Sequence, residues 1–398
     1  MKINLRFWNL LVIFAMVASG LALPPQSAAA NNQSQNVAVP GVNAPFTTGN
    51  IVVYRVGDGA GSLVNTGNPV FLDEYTPAGA LVQSIAMPIA QIGDNRAFYA
   101  SGTSTAEGLI TRSTDGQYLL LTGYASTAAT SLSGTASTAV NRVVGRVDAA
   151  GNIDTTTALS DFASASSPRS ATSHNGTDLW VAGGAGGVRY TTLNATTSTQ
   201  ISTSVTNNRQ VHIFDGQLYV SDASGSSFRL ATVGVGLPTT AGQVYTNLPG
   251  LPTGTGSPYG FFFADLDGTV AGVDTLYVAD DGAGIQKYSL VGGTWVLNGT
   301  LAGSGYRGLT GAVSGTTVSL FSISNTSVAT VQDAGGYNQT FSETTLTSLA
   351  TAATNTAFRG VALAPIPAGD PAPAVVSTDP ANGAENVPLA SNVSVTFS

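Results

Sequence analysis

A short motif recurs along this chain, in which a polar turn is followed at once by an apolar strand. Its four clearest copies are Asp115–Leu121, Asn175–Val181, Asp215–Val220 and Asp274–Val278. Asp, Asn and Gly are common in tight turns, and such a turn leading into a β-branched or aromatic run is typical of a β-hairpin. Because the motif returns throughout a sequence with 47 glycines, we predict an all-β fold built from small repeated sheets.

A second feature lies upstream of these turns, where an arginine or a glycine opens another short strand. The positions are Arg112, Arg169, Arg209, Gly260, Arg307 and Arg359, at intervals of 57, 40, 51, 47 and 52 residues. Units of roughly 40–50 residues with about four short strands each are typical of β-propeller blades. A β-solenoid or a pair of β-sandwiches is the alternative, but solenoid rungs are more regular in length. The spacing therefore favours a β-propeller.

The two ends of the repeat region predict how the ring closes. After Arg359 only one strand, Phe358–Leu363, fits before the proline-rich stretch. Ahead of Arg112 there are three strands: Ile51–Val56, Val70–Tyr75 and Leu81–Met87. One C-terminal strand and three N-terminal strands together make one four-stranded blade, which removes the open sheet edge. We predict six blades, with seven as the alternative because the run Arg142–Val147 looks like an extra strand.

The N-terminus has the pattern of a secretory signal. Lys2 and Arg6 precede an apolar run from Trp8 to Leu23, and Ala28–Ala30 supplies small residues for cleavage. No later segment approaches the roughly 18 consecutive apolar residues of a membrane-spanning helix. We therefore expect a secreted or cell-surface protein with no membrane span after cleavage. The predicted domains are a signal peptide (1–30), a flexible N-terminal segment (31–49), a propeller (50–364), a proline-rich linker (365–373) and a C-terminal segment (374–398).

Charge and cysteine content exclude several classes of function. Cleavage after residue 30 removes Lys2 and Arg6 and no acidic residue, which takes the net charge from −8 to −10. Such an acidic chain is a poor partner for nucleic acid. The chain has no cysteine, which rules out disulfides, thiolate metal sites and a cysteine nucleophile.

The C-terminal residues Ala374–Ser398 resemble the first strands of the SbsA-type bacterial Ig-like domain. The matching features are the turn Ser377–Pro380, the pair Asn382–Gly383, the triplet Asn386–Pro388 and the alternating strand Val393–Phe397. An Ig-like sandwich needs about 100 residues, so the resemblance implies a domain that continues in a longer multidomain chain. It also implies a bacterial, extracellular setting. The repeat region resembles exported bacterial propeller modules, and neither resemblance supplies an active-site motif.

Residues suited to catalysis or metal binding are sparse. The two histidines, His174 and His212, lack metal-ligand spacing, and there is no nucleophile elbow, P-loop or dinucleotide fingerprint. We expect no organic cofactor. Asp265, Asp267 and Asp274 form the one acidic cluster of the Asp-x-Asp-Gly type, so Ca²⁺ is the one metal that we consider. Turn formation explains the same residues.

The arginines give the most specific prediction about function. The first strand of each blade lies nearest the propeller axis, so residues that open successive first strands form a ring. Five such residues are arginines: Arg112, Arg169, Arg209, Arg307 and Arg359. Guanidinium groups bind carboxylate, sulfate or phosphate bidentately, although arginines also bind backbone carbonyls between blades. The sequence favours a non-catalytic module that binds an anionic glycan or another surface ligand, rather than an enzyme. An extracellular propeller hydrolase or lyase acting on polysaccharide or phosphate esters is the alternative.

Overall fold

The computed structural model describes residues 43–132, 134–225 and 229–369 and parts of 375–397. Within these residues the protein is all-β, with 27 strands and no helix, and so it shows no helix that is long and apolar enough to cross a membrane. The first fourteen strands are β1 (Ile51–Val56), β2 (Gly67–Tyr75), β3 (Leu81–Ala86), β4 (Tyr99–Ser101), β5 (Thr111–Arg112), β6 (Tyr118–Tyr124), β7 (Arg142–Asp148), β8 (Ile153–Leu159), β9 (Pro168–Ser173), β10 (Asp178–Gly183), β11 (Arg189–Thr192), β12 (Thr199–Gln200), β13 (Val211–Phe214) and β14 (Gln217–Ser221).

The remaining strands are β15 (Leu230–Val233), β16 (Tyr245–Asn247), β17 (Pro258–Ala264), β18 (Thr275–Asp280), β19 (Gly284–Val291), β20 (Thr294–Ala302), β21 (Gly308–Ser314), β22 (Thr317–Ile323), β23 (Ser327–Asp333), β24 (Thr347–Thr351), β25 (Ala357–Leu363), β26 (Val375–Asp379) and β27 (Ser394–Phe397). From β9 to β24 they form four separate four-stranded antiparallel sheets, each made of four consecutive strands. This is the predicted repeat of four strands per unit.

The first strands and β25 form one nine-stranded sheet. Within it, β25, β1, β2 and β3 make one group of four, and β5, β6, β7 and β8 make another. The short strand β4 pairs with both β2 and β6 and so joins the two groups. The run Arg142–Val147, which suggested a seventh blade, lies in β7 of the second group. The number of blades stays a prediction, since β4 merges these two groups.

The ends of the propeller pair as the sequence predicted. Strand β25 runs antiparallel to β1, from Ile51 opposite Leu363 to Val56 opposite Ala357. Ile51, Val53 and Phe358 are buried in one hydrophobic cluster with residues of β22 and β23. This pairing ties residues about 300 positions apart in the sequence and leaves neither β1 nor β25 as a free edge inside the ring.

The innermost strands of the groups are β25, β5, β9, β13, β17 and β21, and neighbours in this order around the axis contact each other, with the rings of Phe214 and Phe262 joining β13 to β17. Hydrogen bonds tie these segments from Leu109 N to Arg169 O, from Val211 N to Ser170 Oγ and from Gly260 N to Arg307 O, and Ser221 Oγ of β14 donates to Tyr259 O of β17, at 2.6–3.0 Å. The Arg112 side chain donates to Ala364 O and links β5 to the end of β25. The result is a closed ring of sheets, which defines the fold as a β-propeller.

Glycines stand where neighbouring inner strands come closest. A Cβ on Gly308 would lie 3.2 Å from the Cα of Gly360, and a Cβ on Gly260 would lie 2.6 Å from the Leu309 nitrogen. A Cβ on Gly360 would lie 2.7 Å from the Ile110 nitrogen and closer still to a carbonyl oxygen. Real Cβ atoms do not approach backbone this closely, so these positions need glycine for space and not for an unusual backbone angle.

A buried ion pair joins the sheet β17–β20 to the neighbouring sheet β21–β24. Lys287 of β19 lies 2.7 Å from Asp333 of β23, and both side chains are fully buried. Tyr277 donates a hydrogen bond to Asp333, and Lys287 donates to Gly336 O. Removing one partner of such a pair leaves an uncompensated buried charge, so the one lysine beyond residue 30 has a structural role.

The segments outside the ring are described in part. Phe46 is buried, and its amide donates to Ala149 O, so the predicted flexible segment 31–49 is held against the sheets from Asn43 onward. Residues 1–42, which include the predicted signal peptide, lie outside the described residues. In the C-terminal segment, β26 and β27 pair antiparallel. Two paired strands do not define a sandwich, and the Ig-like domain stays a prediction.

The close packing of the inner strands gives a direct test of the ring. We expect Gly360→Ala to lower the free energy of unfolding by about 1–3 kcal/mol, because its Cβ would overlap backbone atoms of the next inner strand. Gly268→Ala is the matched control, since nothing lies within 4 Å of its Cβ position, and it should change stability by less than about 0.5 kcal/mol. Urea unfolding measures both. Equal stability of the two variants would contradict the packing of β25 against β5.

Candidate functional site

The residues that precede or open the inner strands meet at one end of the axis. Four of the five predicted arginines are here, and we call this end the arginine mouth: Glu107, Arg169, Arg209, Tyr259, Arg307 and Arg359. Contacts and electrostatic interactions between successive members follow that order around the axis. Ring closure thus assembles four guanidinium groups from strands that are far apart in sequence.

Tyr259 lies at the sixth position of the ring, next to Gly260, the one strand-opening residue of the predicted set that is not an arginine. It comes directly before Gly260, as Arg307 comes before Gly308 and Arg359 before Gly360. The Arg209 guanidinium carbon lies 3.6 Å from the centre of the Tyr259 ring, and that of Arg307 lies 5.1 Å away. Two guanidinium groups therefore share one aromatic ring, an arrangement that holds cations through the negative face of the ring.

Three of the four arginines have partners within the protein. Arg307 binds both carboxylate oxygens of Asp281, at 2.9 and 3.1 Å. Arg169 donates to Asn207 Oδ1 and to Asn208 O. Arg359 is buried, and desolvation lowers its pKa to about 10. These contacts match the structural alternative, in which arginines hold neighbouring segments together.

The loop Gly102–Ala106 lies against part of this mouth. Its carbonyl groups accept hydrogen bonds from Arg359, at Gly102 and Ser104, and from Arg307, at Thr105. Glu107 ends the loop and is buried, with its carboxyl group held by the Tyr124 hydroxyl and the Ser101 amide. Burial raises the pKa of Glu107. The carbonyl groups of this loop therefore bind guanidinium N–H groups of both Arg307 and Arg359.

Arg209 differs from the other three arginines. No side chain or carbonyl of the described residues accepts a hydrogen bond from its guanidinium group, and its Nη1 atom is buried without a partner. Desolvation lowers its pKa. A partly buried cation with unused donors carries a desolvation cost that an anionic ligand would offset.

Unpartnered polar atoms lie on the segments beside Arg209. Gln210 Oε1 and Asp222 Oδ2 are buried without hydrogen-bond partners, on side chains that are only 2% and 1% exposed. Buried polar groups are normally paired, so a group of unpaired ones points to a site that binds a polar ligand or ordered water. Burial raises the pKa of Asp222 to about 6, which places its titration near neutral pH.

The structure does not bring Arg112 to this mouth. Leu109, not Arg112, bridges to Ser170 of the next inner strand, so Arg112 lies further along the axis, toward the other end. The number of residues between each arginine and the following turn distinguishes Arg112 from the others in the sequence. Arg169 and Arg209 stand six residues before their turns at Asn175 and Asp215, whereas Arg112 stands only three before Asp115.

The acidic cluster does not form a metal site in the structure. The Asp274 carboxylate is buried and accepts the backbone amides of Leu266 and Asp267. Asp267 accepts the amide and hydroxyl of Thr269, and Asp265 is exposed in the same loop. Within the described ranges no three His, Asp or Glu side chains are grouped to hold a metal ion. These carboxylates organise a loop, and calcium binding there stays a prediction.

Neither histidine lies at the arginine mouth. His174 is exposed in the turn after β9, where its ring pairs with Thr114 Oγ1. His212 lies on β13 and packs edge-on against Phe214. The sequence analysis did not predict Glu107 and Tyr259 of the mouth or Asp222 near Arg209. Glu107 and Asp222 lie in loops, where no periodic pattern indicates a position, and Tyr259 directly precedes the predicted Gly260.

Comparison with known proteins adds structural likeness only. No protein-family profile and no curated protein sequence matches the chain. The chain is similar to a chain of a nidogen/laminin complex, with 13% identity, 79% of this chain and 98% of that chain covered, and a TM-score of 0.47. It is also similar to a putative 6-phosphogluconolactonase from Bacteroides uniformis (11% identity, 76% and 82% covered, TM-score 0.40) and to a periplasmic gluconolactonase from Pseudomonas aeruginosa (15% identity, 76% and 83% covered, TM-score 0.39). Because these TM-scores are below 0.5, the fold assignment rests on the strand pairing.

The raised pKa of Asp222 predicts how stability depends on pH. The folded protein holds this proton to about pH 6, while an unfolded Asp releases it near pH 3.9. The native state therefore binds the proton more tightly, and this carboxyl makes the fold less stable as pH rises through that interval. We expect Asp222→Asn to raise the melting temperature at pH 8 and to leave it nearly unchanged at pH 4.

The control is Asp215→Asn, an exposed turn residue, whose effect on melting should be the same at both pH values. Differential scanning calorimetry at pH 4 and pH 8 gives the comparison. An Asp222→Asn effect of equal size at the two pH values would show that folding does not raise the pKa of Asp222.

Proposed function

We propose that this protein is an extracellular, non-catalytic binding module that holds an anionic group of a glycan at the arginine mouth. The observation that carries the proposal is the Arg209 guanidinium, which is stacked on Tyr259, partly buried and without a hydrogen-bond acceptor. Stacking on Tyr259 fixes the plane of the Arg209 guanidinium group. The N–H groups at its edge can then pair with two oxygens of a carboxylate, sulfate or phosphate. Arg169 and Arg307 lie on either side and add positive charge.

The other mouth residues support a fixed receptor. Arg307 is held by Asp281, and Arg359 by the loop Gly102–Ala106. Neither has to move when a ligand arrives, so little conformational entropy is lost on binding.

The test compares Arg209→Gln with the parent protein. Binding to oligogalacturonate and to dextran sulfate is measured by calorimetry, with a neutral cello-oligosaccharide as the reference ligand. Loss of charge-assisted hydrogen bonds worth about 1.5–3 kcal/mol predicts affinity about 10- to 100-fold weaker in the variant. Melting should change little, because the Arg209 guanidinium makes no hydrogen bond to another described residue and loses only its stacking on Tyr259.

Arg189→Gln is the matched control. Arg189 is also a half-buried arginine, but it is paired with Asp161 and Ser198 away from the mouth, so its loss should leave anion binding intact. Equal affinity of Arg209→Gln and the parent, or no preference of the parent for anionic over neutral glycans, would refute the proposal.

One observation favours the enzymatic alternative, a hydrolase or lyase acting on polysaccharide or phosphate esters. Asp222 is a carboxyl with pKa about 6 near the Arg209 cation, and a pKa close to the working pH suits a general acid or base. The same glycan panel distinguishes the two functions. Product release by the parent that is lost in Asp222→Asn and kept in Arg189→Gln would support the enzyme.

A further inference from the structure

A second axial site lies at the other end of the inner strands. It is a cavity of about 250 Å³ that opens to solvent. Side chains from five inner strands line it, among them Arg112, His212, Phe214, Phe262, Thr310 and Leu363. These residues stand three or more positions beyond the arginine mouth on their strands, as Thr310 does relative to Arg307. The two sites are therefore separate.

Strand alternation explains the apolar walls of this cavity. On β13, Val211 and Ile213 are buried in the core between sheets, while His212 and Phe214 are partly exposed and line the axis. Side chains of a strand point alternately to its two faces. Phe262 on β17 and Leu363 on β25 are placed in the same way and are also partly exposed. Aromatic and aliphatic side chains thus face the axis from three strands.

Arg112 brings one anchored positive charge into these walls. Its Nη1 donates to Ala364 O at 3.1 Å, which fixes the side chain. Among the described residues, no carboxylate lies within 4.0 Å of its nitrogens. Asp215 also lines the cavity but is exposed in the turn after β13. The remaining donors of Arg112 have no acceptor in the described part of the chain.

His212 does not add charge to the cavity. Desolvation among the side chains of the cavity wall lowers the pKa of His212 to about 4, so the imidazole is neutral at neutral pH. Its ring stacks edge-on with Phe214, with 4.4 Å between ring centres. The cavity therefore presents an aromatic wall and one fixed cation.

We propose that this cavity binds a small monocyclic carboxylate, with the ring against Phe214 and Phe262 and the carboxylate on Arg112. Size supports this class, because a cavity of about 150 Å³ already holds benzene, and 250 Å³ leaves space for a carboxylate as well. Charge supports it too, since a guanidinium fork pairs bidentately with a carboxylate.

The test is calorimetric titration of the full chain with benzoate, and with benzyl alcohol as the uncharged ligand of similar size. We expect benzyl alcohol to bind at least about tenfold more weakly than benzoate, because it cannot pair with the guanidinium. Arg112→Gln should weaken benzoate binding by a similar factor. Thr310→Phe, which places a ring in the cavity, should abolish it.

Arg209→Gln, a change at the arginine mouth, is the control and should bind benzoate like the parent. Three results would each overturn the proposal: no benzoate binding by the parent, equal affinity for benzoate and benzyl alcohol, or loss of benzoate binding in Arg209→Gln. The last would show that the anion binds at the arginine mouth. The comparison of ligands on the parent stands even if Arg112→Gln fails to fold. Failure here leaves the glycan proposal untouched, because that proposal is tested by other ligands and other variants.

Discussion

The pairing of β25 with β1 is the interaction on which the rest of this structure depends. It joins Ile51–Val56 to Ala357–Leu363 along six paired positions and ties the two ends of the propeller together. Closing so long a loop costs conformational entropy, but the cost grows only slowly with length. The burial of Phe358 and its neighbours against β22 and β23 contributes hydrophobic stabilisation that offsets it. Every inner strand then has a neighbour on both sides.

Ring closure also gives the two ends of the axis different chemistry. Residues that open the inner strands meet at the arginine mouth, where the stacked pair Arg209 and Tyr259 lies among charged groups. Residues near the ends of the same strands meet around an apolar cavity with Arg112 as its cation. One set of short strands therefore gives the two ends of the axis different surfaces, one rich in charged groups and the other apolar with a single cation.

Much of this was predictable from short-range patterns. Turn-plus-strand motifs predicted the repeated sheets, and the strand count at the two ends predicted their pairing. Four of five arginines came together because each directly opens or precedes an inner strand. Arg112 did not, because it lies closer to its turn than the others do. Glu107 and Asp222 were not predicted because loops have no periodic pattern. The Asp274 carboxylate accepts backbone amides of its own loop, and a calcium site at the Asp265–Asp274 cluster stays a prediction.

The most direct test of closure compares two shortened chains. One ends at Thr356 and lacks β25, and the other ends at Gly369 and keeps it. With closure as described, the chain ending at Gly369 melts cooperatively at the temperature of the full chain. The chain ending at Thr356 melts at a much lower temperature or does not fold, because the inner ring depends on the pairing of β25 with β1. Equal melting temperatures for the two shortened chains would contradict the account.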